Sequence, residues 1–168
     1  MAESRVKAKP RGLDKPWVPK LIGTMARAHV WVYRRTGGRV GYTFRIGSAL
    51  RKGVPTALLT HRGRTSGREY TTPLLFMPDG DRVIVVASQG GLPSHPQWYR
   101  NLLADPEVVL QVKGDVRRYL ARTATSTERA VLWPRLVDLY ADFASYQSWT
   151  DREIPVVICE PAERAEPT

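Results

Sequence analysis

YTTPLLFMPDGDRVIVVAS, Tyr70 to Ser88, sets two apolar runs on either side of Asp79-Gly80. An Asp-Gly pair between strand-forming runs is a strong hairpin signal, because its backbone accepts the left-handed conformation that a tight turn needs. The stretch therefore reads as two antiparallel strands. The second, Val83–Ser88, is almost continuously apolar, as a strand buried on both faces is.

The same logic extends outward. Ala57–Thr60 begins a strand that GRTSGR turns back into Tyr70–Met77. Downstream, QGGLPSHP is a loop, and Gln97–Ala104 is a short helix closed by DPE. Val108–Val112 and Arg117–Thr123 form a hairpin around KGD. A helix capped by Ser126 or Thr127 runs through RAVLWPRLVDLYADF, with Pro134 inside it. Ile154–Glu160 is a last strand. Upstream, Val18–Arg35 reads as a helix stopped by TGGR. Tight turns between consecutive strands imply antiparallel pairing rather than βαβ winding. The expectation is a mainly β chain with helices (α+β), a small barrel of about six antiparallel strands and three or four outer helices. Its layout is a basic tail at 1–16, an amphipathic helix and connector at 17–50, the barrel at 51–162 and a polar tail at 163–168.

Charge narrows the partners. Lys and Arg total 26 against 16 Asp and Glu, a formal +10, which favours anionic ligands or surfaces. The single cysteine, Cys159, allows no disulfide within the chain, which suits the cytoplasm. It lies in PVVICEP and reads as a buried, inert thiol. No run of about eighteen apolar residues is present, so no transmembrane helix is expected. In the Val18–Arg35 helix, Val18, Leu21, Ile22, Met25 and His29 share a face, with Lys20, Arg27, Arg34 and Arg35 nearby. Such a helix either covers a core edge or lies on the inner face of the cell membrane as a peripheral contact.

Several chemistries drop out. His29, His61 and His95 are scattered and no paired-cysteine spacing occurs, so no metal is expected. His61 and His95 read as loop residues beside polar groups. There is no nucleophile elbow and no carboxylate pair. No nucleic-acid motif accompanies the aromatic residues, and no nucleic-acid partner is expected. Two features stay open. GRTSG offers glycine-bounded backbone N–H groups, the Thr65 and Ser66 hydroxyls and Arg62, Arg64 and Arg68. That is the inventory of an anion nest, or of a hairpin tip with solvated arginines. Tyr140, Phe143, Tyr146 and Trp149 recur every three residues, either as core or as the lining for a flat, apolar ligand.

Three blocks resemble one family. GRTSGREYTTPLLF, VIVVASQGGLPSHPQWYRNLLADPEV and LWPRLVDLYADFASYQSWTDREIPVVICEP occur in order between about Thr56 and Pro161. Together they resemble the deazaflavin-dependent nitroreductases, split β-barrel oxidoreductases of actinobacteria that use coenzyme F420. The last block is closest to the quinone- and nitroimidazole-reducing branch. The resemblance implies hydride transfer from reduced deazaflavin to a small-molecule acceptor: a quinone, a nitro compound or an activated alkene such as an enone. It implies coenzyme contacts from Arg62, Arg64, Thr65, Ser66, Gly67 and Arg68, from Pro73 and Leu74, from Ala87, Ser88 and Gln89, and from Trp98, Tyr99 and Asn101. Leu75, Tyr140, Phe143 and Tyr146 would form the acceptor pocket, with Ser88, Tyr146 and Tyr140 assisting catalysis. Thr65, Tyr70 and Gln89 stand where the family often carries basic residues. Two alternatives keep the fold: an FMN-using reductase, or a basic binding module for anionic lipid or nucleic acid without reductase activity.

Overall fold

The computed structural model describes residues 8, 18–50 and 52–162, and of residues 18–22 only the backbone. The expected tails, 1–16 apart from Ala8 and 163–168, lie outside the described residues, as do the side chains of Val18, Leu21 and Ile22.

The Asp79-Gly80 signal is realised as the turn between β3 (Glu69–Asp79) and β4 (Arg82–Val86), with Asp79 paired to Arg82. The remaining strands are β1 (Thr43–Phe44), β2 (Val54–Arg62), β5 (Glu107–Val112), β6 (Asp115–Thr123) and β7 (Val156–Pro161). Six of them run in the order β2-β3-β4-β7-β6-β5 and close into a barrel where β5 pairs back onto β2, Leu59 opposite Leu110. Every pairing is antiparallel. The two-residue β1 lies on the start of β2.

Among the described residues four α-helices surround the barrel: α1 (Val18–Arg35), α2 (Gln97–Leu102), α3 (Ser126–Leu139) and α4 (Asp142–Ser148). Two expectations need correcting. The cap of α3 is Thr125, not Ser126 or Thr127. Its hydroxyl accepts from Glu128 N–H, and Glu128 accepts from Thr125 N–H in return. Glu128 sits three residues after Thr125, so the reciprocal pair picks that hydroxyl from its neighbours. Nor does one helix run on through ADF. It ends at Leu139, Tyr140 is extended (φ −144, ψ 94), and α4 starts afresh. Ser48 stabilises the new start, since its N–H donates to Asp142 Oδ2 and its Oγ accepts from Asp142 N–H.

Strand alternation builds two cores. One fills the barrel with Ala57, Leu59, Phe76, Val83, Val85, Leu110, Val157 and Cys159. The other lies outside, where Ile84, Val86, Val156 and Ile158 meet Leu132 and Leu136 of α3 and Phe143 of α4. Both faces of β4 and β7 are thus covered, which is why VIVV and VVIC are continuously apolar. Cys159 is sealed in the interior, and burial pushes its thiol up to about 12. On another side α1 docks through the fully buried Tyr33. Its hydroxyl donates to Thr56 O and accepts from Lys113 N–H, tying α1 to the barrel.

Candidate active site

Alternation also aims a polar set inward. Ala57 and Leu59 face the interior, so His61, two residues on, does too. On β3, Leu74 and Phe76 face it, so Thr72 and Tyr70 follow. The interior there gives way to a cavity of about 610 Å³. His61, Tyr70 and Thr72 line one side, Gly63 to Ser66 of the β2–β3 loop another, and Gln97, Trp98 and Asn101 of α2 a third.

The loop's shape rests on two glycines. Gly67 has φ +65, a region that favours glycine. At Gly63 an added Cβ would come within 2.7 Å of both Ser66 Oγ and the Tyr70 ring. Gly63 N–H donates to Arg68 O and Gly67 N–H to Gly63 O, each at 2.8 Å. Ser66 Oγ accepts from Arg68 N–H at 3.3 Å and bonds the Tyr70 hydroxyl at 3.1 Å.

A hydrogen-bond relay crosses the cavity wall. Arg64 Nη1 donates to Gln97 Oε1 and Asn101 Oδ1, each at 2.9 Å, and Arg64 N–H donates to Asn101 Oδ1 as well. With its oxygen occupied, Asn101 turns Nδ2 to His61 Nδ1 at 3.1 Å. His61 is stacked on Tyr70, the ring centroids 6.0 Å apart. Burial lowers the His61 pKa, with a backbone hydrogen bond at Arg62 opposing it. The ring is neutral near pH 7 and accepts at Nδ1, so its proton is on Nε2.

The three arginines separate. Arg64 lines the cavity. Arg62 and Arg68 do not, and Arg62 lies outside with Nε 3.9 Å from Asp105 Oδ2. Strand alternation explains Arg62, which points away from the face that His61 occupies. Of the other expected coenzyme residues, Thr65, Ser66, Trp98 and Asn101 also meet at the cavity. Gly67 shapes the loop without lining the cavity. Leu74 packs against the interior core, Ala87 and Tyr99 belong to that core, and Pro73 lies further along β3. Tyr99 bonds Thr123 Oγ1 at 2.9 Å. Ser88 and Gln89 form the turn after β4. Tyr140 and Phe143 are in the outer core, with Leu75 and Tyr146 packed on it. Leu75 is there because it alternates with Leu74. Among the described residues no acidic cluster or histidine group could hold a metal.

Sequence reasoning missed His61, Thr72 and Gln97. The sequence reading sets His61 on a loop, whereas it is a buried strand residue paired with Tyr70. Period-two counting back from Leu59 was the available signal. Arg152 was also missed. It reaches the turn after β4, donating to Leu92 O, Ala87 O, Ser88 O and His95 Nδ1. His95 in turn packs on Tyr99 at 5.1 Å, joining that turn to α2.

No Asp or Glu among the described residues lines the cavity. Arg64 Nη2 and the backbone N–H groups of Thr65 and Ser66 have no partners among the described residues. Donors without competing carboxylates select an anion. The rings of His61, Tyr70 and Trp98 offer flat surfaces. The cavity thus sets donors for an anion beside flat walls for a planar group.

The family model for F420H(2)-dependent quinone reductase matches residues 25–161. A Mycobacterium tuberculosis protein named as a proposed F420H(2)-dependent quinone reductase is 54% identical over 117 residues, covering 70% of this chain and 98% of its own. A second protein of that species, named F420H(2)-dependent quinone reductase, is 35% identical over 147 residues, covering 84% of this chain and 94% of its own. A solved F420-H2 dependent reductase superposes with a TM-score of 0.59 at 39% identity, covering 63% of this chain and 94% of that one. The chain belongs to the F420H(2)-dependent quinone reductase family, and it is an oxidoreductase. Its cavity fits the coenzyme, with donors for a phosphate and flat walls for a ring system.

Proposed function

We propose that this chain reduces a quinone, or a nitro compound or enone of like electrophilicity, at the expense of reduced F420. The family match over residues 25–161 carries this reading, because every cavity-lining residue falls within it. Bound reduced F420 supplies the hydride. The protein supplies position, a dry wall and fixed charge.

In this reading Arg64, the Thr65 and Ser66 hydroxyls and their backbone N–H groups hold the phosphate. Trp98 and Tyr70 offer flat walls, and Asn101 fixes the Arg64 guanidinium. The acceptor is met from the α4 side, beside Ser88, Leu75 and Phe143. There the Tyr140 and Tyr146 hydroxyls are 3.1 Å apart. Burial, and then Tyr146, raise the Tyr140 pKa, so that phenol stays protonated. The pair can donate to an acceptor oxygen as it gains negative charge. The turn carrying Ser88 packs against α4, since a Cβ at Gly91 would meet Tyr146 O at 2.7 Å.

We also propose that a lipid-borne quinone is met at the membrane surface through α1. Met25 and Trp31 stand exposed there beside Arg27 and Arg35, an apolar and basic pairing suited to anionic lipid. Among the described residues no helix is long and apolar enough to cross a membrane. Trp31→Ala should reduce cosedimentation with anionic vesicles, and equal recovery would reject the contact.

The test of the reductase is direct. Purified protein mixed with reduced F420 should oxidise it only when menadione is added. No oxidation with menadione, a nitroimidazole or cyclohexenone would reject the reading.

A further inference from the structure

We propose that His61 is a ligand-contacting residue, donating a hydrogen bond from Nε2 to an oxygen of the bound coenzyme. His61 is only 5% exposed and lines the cavity. Its Nδ1 is taken by Asn101 Nδ2, and no side chain among the described residues bonds Nε2. Nε2 is not sealed off, because among the described residues Thr56 Oγ1 is the one buried side-chain polar atom without a partner. A buried ring that lines a cavity and keeps one nitrogen accessible turns that nitrogen to the cavity. A ligand seated there either accepts from Nε2–H or strands it, and a stranded buried donor is costly.

The donor state is imposed by neighbours. Arg64 places two donors on Asn101 Oδ1, so the Asn101 amide cannot turn its oxygen toward His61 without losing both. Asn101 therefore donates to Nδ1 and keeps the proton on Nε2. Each bond in the relay polarises the next, which strengthens the terminal Nε2–H as a donor. The groups facing His61 are Arg64 through Asn101, Tyr70 by stacking and the adjacent Arg62. No carboxylate of the cavity lining competes for the proton. No side-chain oxygen among the described residues accepts from Nε2–H, and coenzyme F420 offers oxygens on its phosphate and on its ring carbonyls.

The inference rests on the proposed function, and its test separates the two. In the protein alone, histidine ¹⁵N NMR near pH 7.5 should show His61 as the neutral Nε2–H tautomer; an Nδ1–H tautomer would overturn the proposal. Fluorescence titrations with F420 then compare wild type, His61→Phe and His61→Gln. His61→Phe keeps a flat ring against Tyr70 and loses the donor, and should bind about five- to tenfold more weakly. His61→Gln, with an amide N–H near the Nε2 position, should recover much of that loss. Wild-type affinity in His61→Phe would overturn the proposal and leave the functional reading standing. Absence of F420 binding by wild type would remove the functional reading and this contact with it. A parallel titration with the deazaflavin riboside, which lacks the phosphate, locates the acceptor. A loss for both ligands places it on the ring, and a loss for F420 alone places it on the phosphate.

Discussion

Arg64 reaches across the cavity from the β2–β3 loop, whereas Arg152 reaches into the turn after β4 from the segment before β7. Both are arginines from loops that tie their segment to a distant one, Arg64 to α2 and Arg152 to the turn after β4. Arg152 spends its whole fork inside the protein, on three carbonyls and His95. Gln147 holds it in place, donating to Arg152 O while accepting from Ile154 N–H. Arg64 spends Nη1 on two amides and keeps Nη2 without a partner among the described residues. A filled fork braces the fold, and a half-filled one can still receive a ligand. The distinction decides what each substitution should do.

Arg152→Ala should show the largest effect. Losing charge-assisted bonds from a partly buried network should cost about 2–4 kcal/mol in stability, read by urea denaturation. Arg152→Lys should recover little, because one ammonium cannot span three carbonyls and His95. A stability loss under about 0.5 kcal/mol, the size of an ordinary surface substitution, would erase the contrast.

Arg64→Ala should invert the pattern. F420 affinity should fall by about 1.5–3 kcal/mol for the lost charge-assisted contact, while the urea midpoint barely moves. A variant that binds normally but unfolds early would make Arg64 the brace instead.

Acid should weaken the Arg152 side in a predictable sense. His95 accepts from Arg152, so it must be neutral there. Burial lowers its pKa, with the charges of Arg152 and Arg100 adding to that. Burial lowers His61 likewise. A histidine with a depressed folded pKa stabilises the fold fully above its unfolded value, about 6.5. That contribution is lost as pH falls through the folded value. Stability should therefore decline on acidification below about pH 6.5. His95→Asn, which keeps an acceptor near Nδ1 without titrating, should flatten the decline. An unchanged slope would remove His95 from the effect.

The smallest change is expected from Arg62→Ala and Arg68→Ala. Both side chains stand outside the cavity, and Arg62 faces only an exposed, distant carboxylate. Each should alter F420 affinity by about 0.5 kcal/mol or less. A loss matching that of Arg64→Ala would show that the coenzyme's acidic tail extends over the loop's outer face.

Local signals in the sequence carried much of this molecule. Asp79-Gly80 announced the β3–β4 turn, and the doubly apolar runs announced the strands covered on both faces. The closure of β5 on β2 has no local signal, since Leu59 and Leu110 are brought together only by the folded chain. The break at Tyr140 was hidden because the aromatic spacing continues through it. Capping-box spacing could have chosen Thr125, and was available. At the site, composition identified GRTSG but could not divide its arginines, because only strand alternation separates Arg62 from His61. Gln97 and Arg152 are legible only in space, where α2 and the segment before β7 meet loops distant in sequence.

In the proposed function the coenzyme occupies the cavity between the β2–β3 loop and α2. A crystal structure of the chain with F420 tests it most directly. The coenzyme phosphate should lie against Arg64, Thr65 and Ser66, with the ring system against Trp98. A coenzyme bound elsewhere, with Arg64 still bonded only to Gln97 and Asn101, would contradict it.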